Sequence, residues 1–182
     1  MRVVAVVGLP GSGKSEAAAV AESLDIPVIT MGDVIREECR DRGLDPSRDH
    51  GKVAQALREE LGRGAVAERS LPIVEAALES NDTVLIDGIR SDAELDRFEA
   101  AYGEALELLR IDAPDAERAK RLEVRGRDAS AADGGETLAE RDERELGFGM
   151  DAAMERADVV ITNDDSLAAF RRAVTELLTE DE

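Results

Sequence analysis

The sequence predicts an α/β fold, a parallel β-sheet with helices on both faces. Three observations carry this. Five short runs rich in Val, Ile and Leu recur along the chain, at Val3–Val7, Ile26–Ile29, Thr83–Ile86, Ala105–Ile111 and Asp158–Ile161. They lack the polar–apolar alternation of a strand with one wet face, so each is expected to be buried on both sides. Helical patterns fill the intervals between them, and strands that alternate with helices pair in parallel.

Taken in order, the first run ends in a glycine-rich turn, and a helix is expected from about Ser15 to Leu24. The second run leads into a long helical region from Met31 to Glu79, broken near "RGLDPSRD" (42–49). Further helices are expected after Ser91, after Pro114 and after Ser166. Ser91 with Glu94, and Thr137 with Glu140, have the spacing of capping boxes, in which hydroxyl and carboxylate each satisfy a terminal N–H. The stretch "DASAADGGE" (128–136) is small and polar and reads as a loop within the domain.

At 182 residues the chain suits one α/β domain spanning 1–182 and is too short for two of comparable size. Its apolar content of 43% is that of a globular protein. No apolar run approaches the roughly 20 residues that span a bilayer, and the N-terminus lacks the pattern of a secretory signal. The single cysteine, Cys39, excludes an internal disulfide framework and reads as a core residue. These features predict a cytoplasmic protein without a membrane partner.

Acidic residues number 42 against 23 basic ones, a net charge of −19. Lysine stands only at 14, 52 and 120, so arginine supplies the other basic positions. Such a surface repels nucleic acid and anionic membranes at ordinary salt. At molar salt the Debye length falls to about 3 Å and the self-repulsion is screened. The balance therefore reads as halophilic adaptation, the alternative being an acidic protein of ordinary salinity.

"GLPGSGKS" (8–15) fits G-x-x-x-x-G-K-[ST], the P-loop, with the strand before it and the helix after it that the motif requires. Gly8, Leu9, Pro10, Gly11, Ser12 and Gly13 would form one hollow at the positive end of the following helix, into which the N–H groups of all but Pro10 turn. Lys14 is a point charge for the β- and γ-phosphates of a nucleoside triphosphate, and the Ser15 hydroxyl is a ligand for Mg²⁺. "TVLIDG" (83–88) ends an apolar strand on Asp87, a second Mg²⁺-side carboxylate; the alternative is an ordinary aspartate in a strand-ending turn.

With the P-loop, "TMGDVIRE" (30–37) and "DGIRS" (87–91) resemble the nucleoside-monophosphate kinases, adenylate kinase above all. The resemblance implies that Arg36 and Arg90 clamp the phosphate of an acceptor while Asp33 orients the loop. "AKRLEVRGRD" (119–128), "TLAERDERE" (137–145) and "RADVVITND" (156–164) resemble the arginine lid, the helix after it and the closing strand of dephospho-CoA kinase. The whole chain is similar to an archaeal P-loop kinase family related to both. That implies a five-stranded sheet in the order 2-3-1-4-5, with residues 31–80 covering the acceptor and 113–147 forming a lid-like region. "TMGD" stands where dephospho-CoA kinases carry an aspartate pair after the second strand.

Arg118, Arg121 and Arg125 share one face of the helix after Pro114, at i, i+3 and i+7. Three cations on one face call for anions. For Arg121 and Arg125 the expected anion is the ATP triphosphate, which makes them catalytic candidates beside Lys14; the alternative is a solvated face on which Glu117 pairs with Arg121. Arg127, Arg141 and Arg144 are weaker candidates, because Glu140–Arg144 and Arg141–Glu145 already have pairing spacing. Asp33 has a capping alternative, since Thr30 with Asp33 also fits a capping box. Asn163 either borders the adenine or serves as a turn residue. His50, the only histidine, reads as surface rather than as a catalytic group, and a Ser-His-Asp site or a zinc cluster is not expected.

The expected activity is ATP- and Mg²⁺-dependent transfer of a phosphoryl group to a small acceptor, a nucleotide or a coenzyme precursor. The alternative is a kinase-like ATPase that switches a protein or ribosomal partner. A weaker third reading is an ATP-binding protein without turnover.

Overall fold

The computed structural model describes residues 1–124 and 137–180. Arg125, Arg127 and the 128–136 loop expected from sequence lie outside the described residues. The first strand, β1 (Arg2–Val7), is the middle of the sheet, and its side chains from Val3 to Val7 are fully buried. The reason is visible in its neighbours. Val3, Ala5 and Val7 face one hydrophobic cluster, while Val4 and Val6 face another on the opposite side. A strand wet on neither face has no reason to alternate.

The other strands are β2 (Val28–Thr30), β3 (Thr83–Ile89), β4 (Leu106–Asp112) and β5 (Val159–Thr162). They pair in parallel in the order β2-β3-β1-β4-β5, as expected. The second strand starts two residues later than the apolar run, after Pro27, and gives way directly to a helix.

One face of the sheet carries α1 (Lys14–Ser23) and α9 (Leu167–Thr179), packed through Ala17, Val20, Phe170 and Val174. The other carries α2 (Met31–Asp41), α3 (Pro46–Leu61), α4 (Ala65–Leu78), α5 (Asp92–Tyr102) and α8 (Met150–Glu155). The remaining helices, α6 (Asp115–Val124) and α7 (Leu138–Gly147), flank the described gap. Cys39 is fully buried in the second cluster, as the sequence implied.

The long helical region breaks twice rather than once. The first break is the expected one, where Asp45 caps α3 by accepting from the Ser47 N–H at 2.9 Å and Pro46 occupies the first turn. The second falls at Gly62–Gly64, and neither it nor α8 was anticipated. The three helices are tied together by charge. Buried Glu38 of α2 accepts from Arg42 at 2.7 Å and pairs with Arg69 of α4 at 2.6 Å; Arg42 also grips Glu60 of α3.

The caps hold in part. Thr137 and Glu140 form the full capping box. At α5 the Ser91 hydroxyl accepts from the Glu94 N–H at 3.2 Å, but the Glu94 carboxylate reaches past Ser91 to the Arg90 N–H at 2.8 Å. The alternative Thr30–Asp33 box is absent: Thr30 makes no side-chain cap bond, and the Asp33 carboxylate accepts from Arg36 at 2.7 Å.

Candidate functional site at the carboxyl edge of the sheet

The P-loop lies where β1 gives way to α1, above the carboxyl end of the central strand. Its shape is set by close approach. Gly11 has φ of 80°, and a Cβ there would meet the Arg118 carbonyl at 2.8 Å. Gly13 has φ of 126° and directly precedes α1; a Cβ there would lie 2.5 Å from Nδ2 of Asn163. Both positions need glycine for conformation and for room.

Groups far away in sequence hold the loop from behind. The Asn163 amide, buried at the end of β5, donates to the Ser12 carbonyl at 2.8 Å. Arg121 donates to Asn163 and to the carbonyls of Gly11 and Ser12, at 3.0 to 3.4 Å. Arg118 donates to the Pro10 carbonyl at 3.1 Å and is bound bidentately by Asp142 of α7 at 2.6 and 2.9 Å. Its side chain is only 3% exposed. This corrects the expected cation face on α6: Arg118 is a buried, doubly paired residue whose anions come from Asp115 and Asp142. Asn163 is neither a simple turn residue nor an open cleft group, since its amide is spent on the loop.

The front of the loop opens on a cleft of about 780 Å³. Gly8, Pro10, Gly11, Gly13, Lys14 and Ser15 line one wall. Lys14 folds back, its Nζ donating to the carbonyls of Gly8 and Leu9. Burial lowers its pKa to about 8, against the opposing pull of the Asp87 carboxylate. A polyanion beside Lys14 would replace those carbonyls as its partner.

Asp87 is brought to the same place by register, for it pairs with Val6 of β1 and Thr30 of β2. The β1–β3 register shifts immediately afterwards, where Gly88 turns with φ of 103°. Burial pushes the Asp87 carboxyl up, while Lys14 and Arg90 pull it down. Its Oδ1 is buried with no hydrogen-bond partner. A carboxylate oxygen in that position fits a bound cation, because an unpaired buried acceptor is otherwise costly. With the Ser15 hydroxyl on the same cleft, the pair fits the protein side of a Mg²⁺ site whose other oxygens come from phosphate and water.

The cleft is also lined by Arg36 of α2, Arg90 just past β3, and Arg141, Arg144 and Glu145 of α7. Arg36 is paired with Asp33, which is itself exposed. Arg90 is paired with buried Glu145 at 2.9 Å, and Arg144 reaches the same carboxylate at 3.3 Å. Glu145 takes Arg90 from across the chain, and Glu140 caps its own helix.

His50 is a correction. It lies on α3, half-buried, and lines the cleft with Nε2 at 3.3 Å from the Gly32 carbonyl. Burial lowers its pKa below the ordinary 6.5, the Gly32 carbonyl opposes this, and the charges of Arg90 and Arg36 add to the lowering. A solitary histidine after a charged run gave no sign of this, because only the packing of α3 against α2 turns it inward. Buried Glu94 was seen only as a cap, yet it also holds Arg58 of α3 at 3.2 Å, and Arg58 lies over the Phe148 ring at 5.3 Å.

Comparison with known proteins follows the same lines. Residues 7–139 match the family model of an AAA domain. A UPF0200 protein of the halophilic archaeon Halobacterium salinarum is 55% identical over 181 residues, covering 100% of this chain and 94% of that protein. Among solved structures, a shikimate kinase from Bacteroides thetaiotaomicron superposes with a TM-score of 0.61 at 16% identity, over 98% of this chain and 99% of its own. A gluconokinase from Sinorhizobium meliloti gives 0.58 at 20% identity, over 97% and 93%. These two likenesses show a kinase-like P-loop fold. Among the described residues no helix is long and apolar enough to cross a membrane. By sequence along its whole length the chain belongs to the UPF0200 family of archaeal P-loop proteins.

Proposed function

We propose that the protein is an ATP- and Mg²⁺-dependent phosphotransferase acting on a small anionic acceptor. One observation carries the reading. A single cleft joins the P-loop, a buried aspartate oxygen without a partner, and arginines from three separate elements. Phosphoryl transfer asks for this arrangement and for little covalent help, because positioning and charge neutralisation supply most of the rate.

In this reading main-chain N–H groups of the P-loop, to which Pro10 contributes none, hold the donor phosphates, with Lys14 released from the Gly8 carbonyl to meet them. Ser15 and Asp87 hold the magnesium ion, which when bound neutralises charge on the β- and γ-phosphates. Arg36 and Arg90 orient the acceptor, with Asp33 bracing Arg36. Arg121, set against the loop's carbonyls, keeps the cradle in shape beside the donor; Arg125, the other arginine of the lid-like region 113–147 expected to meet the triphosphate, lies outside the described residues. The chain would work as one domain, 1–182, with 31–80 covering the acceptor. The resemblances to dephospho-CoA kinase and to the nucleoside-monophosphate kinases support acceptors of those kinds, and the fold shared with the two sugar-acid and shikimate kinases supports a small molecule.

A second reading has its own support in the AAA-domain match: ATP hydrolysis that drives a change in a macromolecular partner. One assay separates them. ADP release is followed at molar KCl against a panel of nucleoside monophosphates, nucleosides and dephospho-CoA. Stimulation by one member, lost in Arg36→Ala, is the expected outcome. Steady hydrolysis indifferent to the whole panel and to Arg36→Ala would replace the phosphotransferase reading with the switch. Absence of any Mg·ATP or Mg·GTP binding heat would remove both.

A further inference from the structure

Glu145 is not used by the donor chemistry, yet it is among the most carefully placed charges in the molecule. Its side chain is 5% exposed. Nη1 of Arg90 lies 2.9 and 3.3 Å from its two oxygens, and Nη2 of Arg144 lies 3.3 Å from one of them. All three residues line the cleft. The carboxylate is near enough to Lys14 to favour its charged form. Three residues earlier on α7, Asp142 binds Arg118, which in turn donates to the Pro10 carbonyl of the P-loop. One helix therefore carries two carboxylates, one on an acceptor-side arginine and one on the back of the donor loop.

We propose that Glu145 is a competitor built into the cleft, and that it restricts acceptors to those carrying a phosphate group. This rests on the phosphotransferase reading above. The Arg90 guanidinium cannot present the same N–H groups to Glu145 and to an acceptor oxyanion. Glu145 is already in place, so it binds Arg90 without the loss of translational freedom that an incoming molecule suffers. A neutral hydroxyl acceptor brings no anion to exchange and leaves Arg90 on Glu145. A single carboxylate replaces like with like at that entropic disadvantage. A phosphate monoester, with a charge of about −1.5 to −2 and three acceptor oxygens, has the advantage that displacement requires. Once Arg90 is displaced, buried Glu145 keeps only the Arg144 guanidinium at 3.3 Å, and the loss of its closer partner loosens α7. The loosening reaches the donor loop through Asp142 and Arg118, so acceptor phosphate and donor loop are linked.

The test uses the full chain at molar KCl, saturated with Mg²⁺ and a non-hydrolysable ATP analogue so that the P-loop is filled. Inorganic phosphate is then titrated by calorimetry into the wild type, Glu145→Gln and the double variant Glu145→Gln/Arg90→Ala. Glu145→Gln is expected to bind phosphate on the order of tenfold more tightly than the wild type, and the double variant to lose that gain. A second measurement needs no variant: in the wild type, phosphate is expected to speed amide hydrogen exchange across 138–147. Equal phosphate affinity in wild type and Glu145→Gln would overturn the proposal. So would a gain that survives the loss of Arg90, or phosphate binding that leaves exchange in α7 unchanged. Failure of the ATP analogue to bind is seen before phosphate is added; it would sink the phosphotransferase reading and this proposal with it.

Discussion

The two walls of the cleft are built by different means. In the proposed reading the cleft divides into a donor wall and an acceptor wall; the donor wall works through main-chain N–H groups of the P-loop, whose carbonyls are gripped by side chains: Lys14 on Gly8 and Leu9, Arg118 on Pro10, Arg121 and Asn163 on Ser12. On the acceptor wall the working groups are themselves side chains, supplied by α2, α3, the end of β3 and α7. Arg36 is held there by Asp33, and Arg90 and Arg144 by Glu145. In the proposed reading the wall of ion pairs exchanges partners when an acceptor anion arrives, while the backbone cradle moves less and only through Asp142 and Arg118, so the donor side is the more rigid half and the acceptor side the selective half.

Four measurements test that contrast. The largest effect is expected from Lys14→Ala, which removes the charge aimed at the donor phosphates. ADP release should fall about 10³-fold, with the far-ultraviolet spectrum unchanged; a loss below tenfold would mean that the loop backbone alone carries the donor site. Next is Arg118→Ala, which leaves the loop's Pro10 carbonyl without its donor and Asp142 without its cation. Breaking so buried a pair should cost about 3 kcal/mol in chemical denaturation at molar KCl. An unaltered midpoint would show that the rigidity of the donor wall does not come from α6 and α7.

A smaller effect is expected at Arg36, whose guanidinium is 41% exposed and screened by water and salt. Arg36→Ala should raise the acceptor KM roughly tenfold while the Mg·ATP affinity stays within twofold. An equal loss on both sides would erase the division between the walls. The smallest concerns His50. Its folded pKa lies below the unfolded 6.5, so the stability held by its neutral form is complete above 6.5 and is lost as pH falls through the folded value. His50→Asn should therefore lose less stability than the wild type on acidification below 6.5. Parallel pH–stability curves would place the imidazole outside the packed wall.

The same contrast explains what could be read early. The donor loop is legible because its groups are consecutive: glycines, lysine and hydroxyl stand in one string, and a strand and a helix bracket it. Asp87 is nearly as legible, since an apolar run that ends on aspartate marks the strand end. Glu145, Asp142 and Glu94 were hidden. Each acts on a partner brought near only by folding, Arg90, Arg118 and Arg58; Glu94 and Glu145 also have the spacing of local roles, a cap and an i, i+4 pair with Arg141. His50 was misjudged for the same reason. The second helix break at Gly62–Gly64 was missed because the apolar periodicity on either side masks it.

By itself the sequence determined the class of the fold, the pairing direction of its strands and the identity of the phosphate cradle. These depend on period, on glycine and on residues within a few positions of each other, which are properties of a string. Only the tertiary structure decided which carboxylate each arginine meets, that Arg118 is buried on Asp142 and the P-loop, and that Asn163 is bound to the loop. Those outcomes follow from where helices come to rest against the sheet and from the cost of leaving a buried charge alone, and neither is written in any one segment of the chain.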